Sequence, residues 1–172
     1  MTRKNEYAHG VLIVHSTPSV LAPHIEWQLA SEIGKPVSLQ WLDQPCLPDT
    51  VRTEAQWRAP VGTAARVASQ LLGWRGARFE ITEFATAESE GGRWIHTPSL
   101  GVLHQRIDRA GNTVVTETQL RDCMTRAKGN FETLQRLVGR TLGEPWDREL
   151  DAFRAAAYGE TAEITRLNRT VS

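Results

Sequence analysis

The sequence predicts an α+β domain, and three observations carry that prediction. Residues 10–84 alternate strand and helix patterns in the order β-α-β-β-α-β, the first strand pattern is apolar on both faces until its end, and the last third of the chain shows apolar residues only at helical spacing. A length of 172 residues, 40% apolar and 23% charged, suits one hydrophobic core. Lys plus Arg and Asp plus Glu number 20 each and the pI is near 7.0, so no field draws the chain to phosphate backbones or anionic lipid. Met1–Glu6 leads into no long apolar stretch, and no apolar run reaches membrane-spanning length. The expectation is a cytoplasmic protein that binds neither nucleic acid nor membrane. Cys46 and Cys123 lack C-x-x-C spacing and are expected as separate reduced thiols.

The first strand is Val11-Leu12-Ile13-Val14-His15-Ser16, followed by a Thr17-Pro18-Ser19 turn. Pro23 suits the first turn of a helix, Ile25, Leu29 and Ile33 recur every four residues, and Gly34 with Pro36 ends it. Val37, Leu39 and Trp41 alternate with Ser38 and Gln40 as a second strand, closed by the proline-punctuated loop 43–49. In the third strand Val51, Thr53, Ala55 and Trp57 face the core and Arg52, Glu54, Gln56 and Arg58 face away. Pro60-Val61-Gly62-Thr63 breaks that strand and offers an N-cap for a helix carrying Ala64, Val67, Leu71 and Trp74, and Phe79 with Ile81 opens strand four. This order resembles the ferredoxin-like plait, in which strands one and three are central. Strand one is apolar on both faces while strand three has a polar one, so a later segment is expected to cover part of the open face.

Residues 85–116 read as an added hairpin built from Arg93–His96 and Val102–Ile107, with a turn at 108–112. Residues 117–158 read as helical: Thr116-x-x-Gln119 has capping-box form, Phe131, Leu134, Leu137 and Val138 mark another helix, and Trp146, Leu150, Phe153 and Ala157 a last one. The expected organisation is a flexible segment 1–9, a single domain 10–158 with its plait at 10–84, and a polar tail at 159–172.

His15 and Ser16 end a buried strand, where α/β proteins often place functional side chains. Alternation along the strand keeps His15 from serving Ser16 as a base, and no G-x-S-x-G elbow is present, so the plain alternative is a turn-capping serine beside a buried histidine. His24 and Trp27 share a helix face, but His24 and Glu26 diverge, so metal-ligand spacing is missing. The segment 91–101 brings Arg93, Trp94, His96, Thr97 and Ser99 together. Arg93 could grip a carboxylate or phosphate and Trp94 could wall a pocket; alternatively Trp94 fills the sheet's second face and Arg93 bridges Glu80 or Glu83. Glu80 and Glu83 stand an odd number apart and face opposite ways, which argues against paired acid/base work. No G-x-G-x-x-G or P-loop is present, and no cofactor is expected. Trp41, Trp57 and Trp74 fall on core faces, leaving Trp27, Trp94 and Trp146 for an interaction surface.

The segments Gly10–Ser16, Pro23–Trp27, Asp43–Pro45, Pro60–Thr63, Gly91–Pro98 and Trp146–Leu150, in this order across residues 10–158, resemble an actinobacterial family catalogued as a domain of unknown function. The resemblance brings no catalytic residues. Its gene neighbourhood implies an accessory role near fatty-acid synthesis or acyl-carrier enzymes. The candidate ligand or partner site is His15, Ser16, His24, Trp27, Arg93, Trp94 and His96. Two readings follow. The first is a non-catalytic accessory module that docks a protein partner, such as a fatty-acid synthesis component. The second is a small-molecule enzyme or sensor whose anion-preferring pocket lies between the end of strand one and the 91–101 loop, lined by His15, Ser16, His24, Arg93 and His96, with His15, His24 and Arg93 converging.

Overall fold

The computed structural model describes residues 6–170. Seven strands form one antiparallel sheet: β1 (Tyr7–Pro18), β2 (Leu42–Asp43), β3 (Thr50–Pro60), β4 (Arg78–Glu83), β5 (Gly91–Thr97), β6 (Gly101–Ile107) and β7 (Thr113–Val114), in the spatial order β2-β3-β1-β4-β5-β6-β7. The helices are α1 (Ala22–Ile33), α2 (Thr63–Leu71), α3 (Glu117–Ala127), α4 (Phe131–Leu142) and α5 (Glu144–Thr170). The molecule is α+β, and β1 and β3 lie side by side inside the sheet.

Alternation along the strands sorts the two layers. Leu12 and Val14 of β1 with Phe79 and Ile81 of β4 point to one face, where Ile25 and Leu29 of α1 and Val67 and Leu71 of α2 cover them. The opposite face carries Ile95 of β5, which packs with Trp146 and Leu150 of α5 in a second, smaller core. α5 is therefore the cover that the two-faced apolar pattern of strand one requires. It leaves the outer face of β3 wet, with Glu54, Gln56 and Arg58 exposed.

Local signals explain the element ends. Pro23 sits in the first turn of α1, and Gly34 closes it in the left-handed conformation at φ 77°. At α3 the capping box is complete, with Gln119 N–H donating to Thr116 Oγ1 and Thr116 N–H donating to Gln119 Oε1. The N-cap of α2 falls in the expected 60–63 segment, at Gly62, which has no side chain to cap with, and the amides of Gly62 and Ala64 donate to the Glu83 carboxylate at 2.7 and 3.0 Å. A carboxylate at a helix N-terminus completes both the donors and the dipole, so β4 rather than the local sequence caps α2.

Two further segments differ from the sequence reading. The second strand expected at 37–41 does not pair; β2 is only Leu42–Asp43. Leu39 N–H and Trp41 Nε1–H both donate to Glu26 Oε1, at 2.7 and 3.1 Å, so the chain hangs from α1 where it would have extended the sheet edge. Downstream, α5 runs on to Thr170, through most of the segment expected as a polar tail; Val171 and Ser172 lie outside the described residues.

Candidate functional site

The end of β1 is where the sequence places a site, and there the sheet meets α5 across a charged seam. Pairing of β1 slips between Val14 and Thr17 against β3, and between Val14 and Ser16 against β4. Such a bulge re-aims the side chains beside it. His15 bonds Glu80 Oε1 through Nε2 at 2.7 Å, and Ser16 accepts from Arg78 Nη1 at 3.4 Å. Arg78 and Glu80 stand two apart on β4 and share a face, so the bulge puts both β1 residues under α5, against the strict alternation expected of them.

Glu80 is the hub. Its carboxylate accepts from His15, from Arg93 Nε at 3.0 Å with a second, shorter bond from Nη2, and from Arg154 Nη2 at 2.6 Å. Asp147 of α5 accepts from both guanidinium groups, at 3.3 Å from Arg93 and 2.9 Å from Arg154. Beside this cluster Arg78 bridges to Glu149 at 3.2 Å and lies over the Phe153 ring, while Ser99 donates to Glu149. Gln44 Nε2 donates to the His15 carbonyl at 2.6 Å, and Cys46 Sγ donates to the Ala152 carbonyl at 3.3 Å, tying the 43–49 loop to the same seam.

The electrostatics follow from this geometry. Burial by itself would raise the Glu80 carboxyl, but the His15 hydrogen bond and the Arg93 charge, helped by Arg154, hold it far below the usual carboxylate range. Burial likewise lowers Arg154, and its bonds to Glu80 and Asp147 override that and raise it. Among the described residues every charge in the cluster meets an opposite charge or a fixed dipole, so the seam fastens α5 to the sheet and leaves no free cation there for an anion.

The predicted site residues thus divide. His15 and Arg93 meet on Glu80, and Ser16 joins them through Arg78. His24 does not: it is exposed on α1, on the other layer, with its ring 5.7 Å from that of Trp74. The convergence of His15, His24 and Arg93 on one pocket therefore does not form, because the helix after β1 packs on the face opposite the one that His15 addresses. Trp94 packs against the α1/α2 core and stacks on His104 at 4.4 Å, while Ile95, its neighbour, points to α5. His96 is buried, stacks on Phe79 and bonds the Ala77 carbonyl at 3.0 Å; burial lowers its pKa. Trp146, a candidate surface residue, is buried with its Nε1–H on the Gly101 carbonyl at 2.9 Å. Trp27 stays 69% exposed.

A concave site lies elsewhere, where the expected second strand fails to pair. A cleft of about 680 Å³ opens between the C-terminal half of α1, residues 35–39 and the β1/β3 pair. Leu12, Leu29, Ile33, Val37 and Leu39 line it, and Trp57 floors it. The Trp57 ring lies over Gly10, where a Cβ would come within 2.1 Å of Cζ2, so only glycine admits the ring at that register pair. Trp57 Nε1–H is buried and finds no acceptor among the described residues. Among the described residues no group of three or more His, Cys, Asp or Glu is placed to hold a metal ion, and no helix is long and apolar enough to cross a membrane.

Alternation marks Trp57 only as a core residue, and no motif or spacing marks Lys35, which also lines the cleft. The sequence names Glu80 as a partner for Arg93 but not as the hub, although a carboxylate inside Phe79-Glu80-Ile81 signals a buried ion pair once the second face is known to be covered. Residues 11–169 match the family model described as a protein of unknown function (DUF3145), and the chain belongs to that family. No curated protein and no solved structure matches it.

Proposed function

We propose that this member of the family is a binding module whose cleft beneath residues 35–39 takes an apolar small molecule. The observation that carries the reading is the cleft itself, whose volume falls inside the range of ligand sites, roughly 300–1,000 Å³, and whose walls are aliphatic over an indole floor. The lining holds no carboxylate, and strand alternation turns its one histidine, His9, to the face opposite Trp57, which favours binding over catalysis. The seam around Glu80 is fully neutralised and is read as structural support for α5. The strand order β2-β3-β1-β4, all antiparallel with α1 and α2 on one face, supports a ferredoxin-like plait as the scaffold.

The test is an amide NMR titration with octanoate and with octanol. The Val37 and Leu39 amides and the Trp57 indole resonance are expected to move, with those of Trp27 and Trp146 unmoved. Val37→Trp, which fills the cleft, is expected to abolish the shifts. Movement confined to other residues, or none, overturns the reading. A second reading, a protein partner docked on α1, keeps one observation in its favour, the exposed Trp27, with Val20 75% exposed in the turn that leads into the helix. Site-directed photocrosslinking from position 24, lost in Trp27→Ala, tests it.

A further inference from the structure

We infer that the ligand of the 35–39 cleft is a single-chain amphiphile with an anionic head, a carboxylate or a phosphate, held at its mouth by Lys35. This rests on the cleft reading proposed above and adds the head group to it. Of the residues that line the cleft, His9, Lys35 and Arg58 are basic and none is Asp or Glu. His9 and Arg58 form a cross-strand register pair on β1 and β3, and the Arg58 guanidinium lies 5.3 Å over the Tyr7 ring. Strand alternation sends both side chains to the face opposite Trp57, so neither bonds a ligand in the cleft directly, and Arg58 adds only background positive potential.

Lys35 is different. It follows Gly34, the left-handed end of α1, is exposed, and among the described residues pairs with no acid. The α1 carboxylates nearest in sequence are committed elsewhere: Glu26 accepts from Leu39 and Trp41, and Glu32 pairs with Arg66 at 2.9 Å. An apolar trough bordered by an exposed lysine with no acid paired to it favours a ligand that is apolar along its length and negative at one end. Carboxylate and phosphate heads share that chemistry.

The experiment compares dissociation constants of octanoate, octyl phosphate and octanol for the full chain, wild type and Lys35→Gln, at low and high salt. Both anions are expected to bind about two- to fivefold more tightly than octanol, the ratio that one partly solvated charge pair supplies. Lys35→Gln is expected to erase the preference while leaving octanol affinity and the ligand-free Tm unchanged, and high salt to narrow it. A clear gap between octanoate and octyl phosphate in wild type, lost in Lys35→Gln, assigns the head. Equal binding of all three ligands overturns the anionic head and leaves the cleft reading standing. Failure of all three to bind overturns the cleft reading itself. A preference for the anions that survives Lys35→Gln removes Lys35 from the role.

Discussion

Replacing Glu80 with Gln tests the reasoning about the seam most directly. Gln keeps the volume but offers one neutral acceptor oxygen and two donors to a site where His15, Arg93 and Arg154 all donate. Breaking a buried ion pair from one side costs about 3–5 kcal/mol. Two features reduce that here. The Arg93 and Arg154 side chains are 23% and 25% exposed, so water can solvate them, and Asp147 still accepts from both. The expected loss is about 2–3 kcal/mol at pH 7, read by urea unfolding followed by circular dichroism. The pH dependence has a definite sign. Because the folded-state pKa of Glu80 is depressed from its ordinary 4.5, its contribution is complete above that value and declines as pH falls towards the folded pKa. The gap between wild type and Glu80→Gln should therefore hold from pH 7 to about 5 and shrink by about 1–2 kcal/mol by pH 3. A loss under about 1 kcal/mol at pH 7, or a gap that does not change with pH, would show that the hub is not what holds α5.

Other substitutions probe other links. Gly10→Ala puts a Cβ 2.1 Å from the Trp57 ring and 2.2 Å from the Thr82 carbonyl, so it should cost about 3 kcal/mol or more in unfolding free energy and move the Trp57 indole resonance. Glu26→Ala leaves Leu39 N–H and Trp41 Nε1–H without their acceptor, and amide exchange at Leu39 should accelerate at least tenfold with little change in global stability. Glu83→Ala strips the two orphan amides at the start of α2 and should cost about 1–2 kcal/mol in thermal unfolding, as a lost N-cap does; an unchanged Tm would mean that water caps the helix as well.

Local chemistry made much of this protein legible from its sequence. The two-faced apolar run of β1, the alternation of β3 around Trp57, the Gly34 stop and the Thr116–Gln119 capping box each act over a few residues, and the structure has each of them in place. The sequence also called for a cover over the second face of the sheet. Tertiary structure decided which residues meet across elements. A one-residue bulge at the end of β1 changed the side that Ser16 addresses, and sending α1 to the opposite layer separated His24 from His15. The fate of residues 37–41 turned on a single distant acceptor, Glu26, which outcompeted the sheet edge for the Leu39 amide and left a cleft where a strand was expected. Alternation and spacing determine which face a residue can occupy, because they are properties of the backbone. Which partner it finds there depends on hydrogen bonds and charges more than ten positions away in the chain, and only the packed fold selects among them.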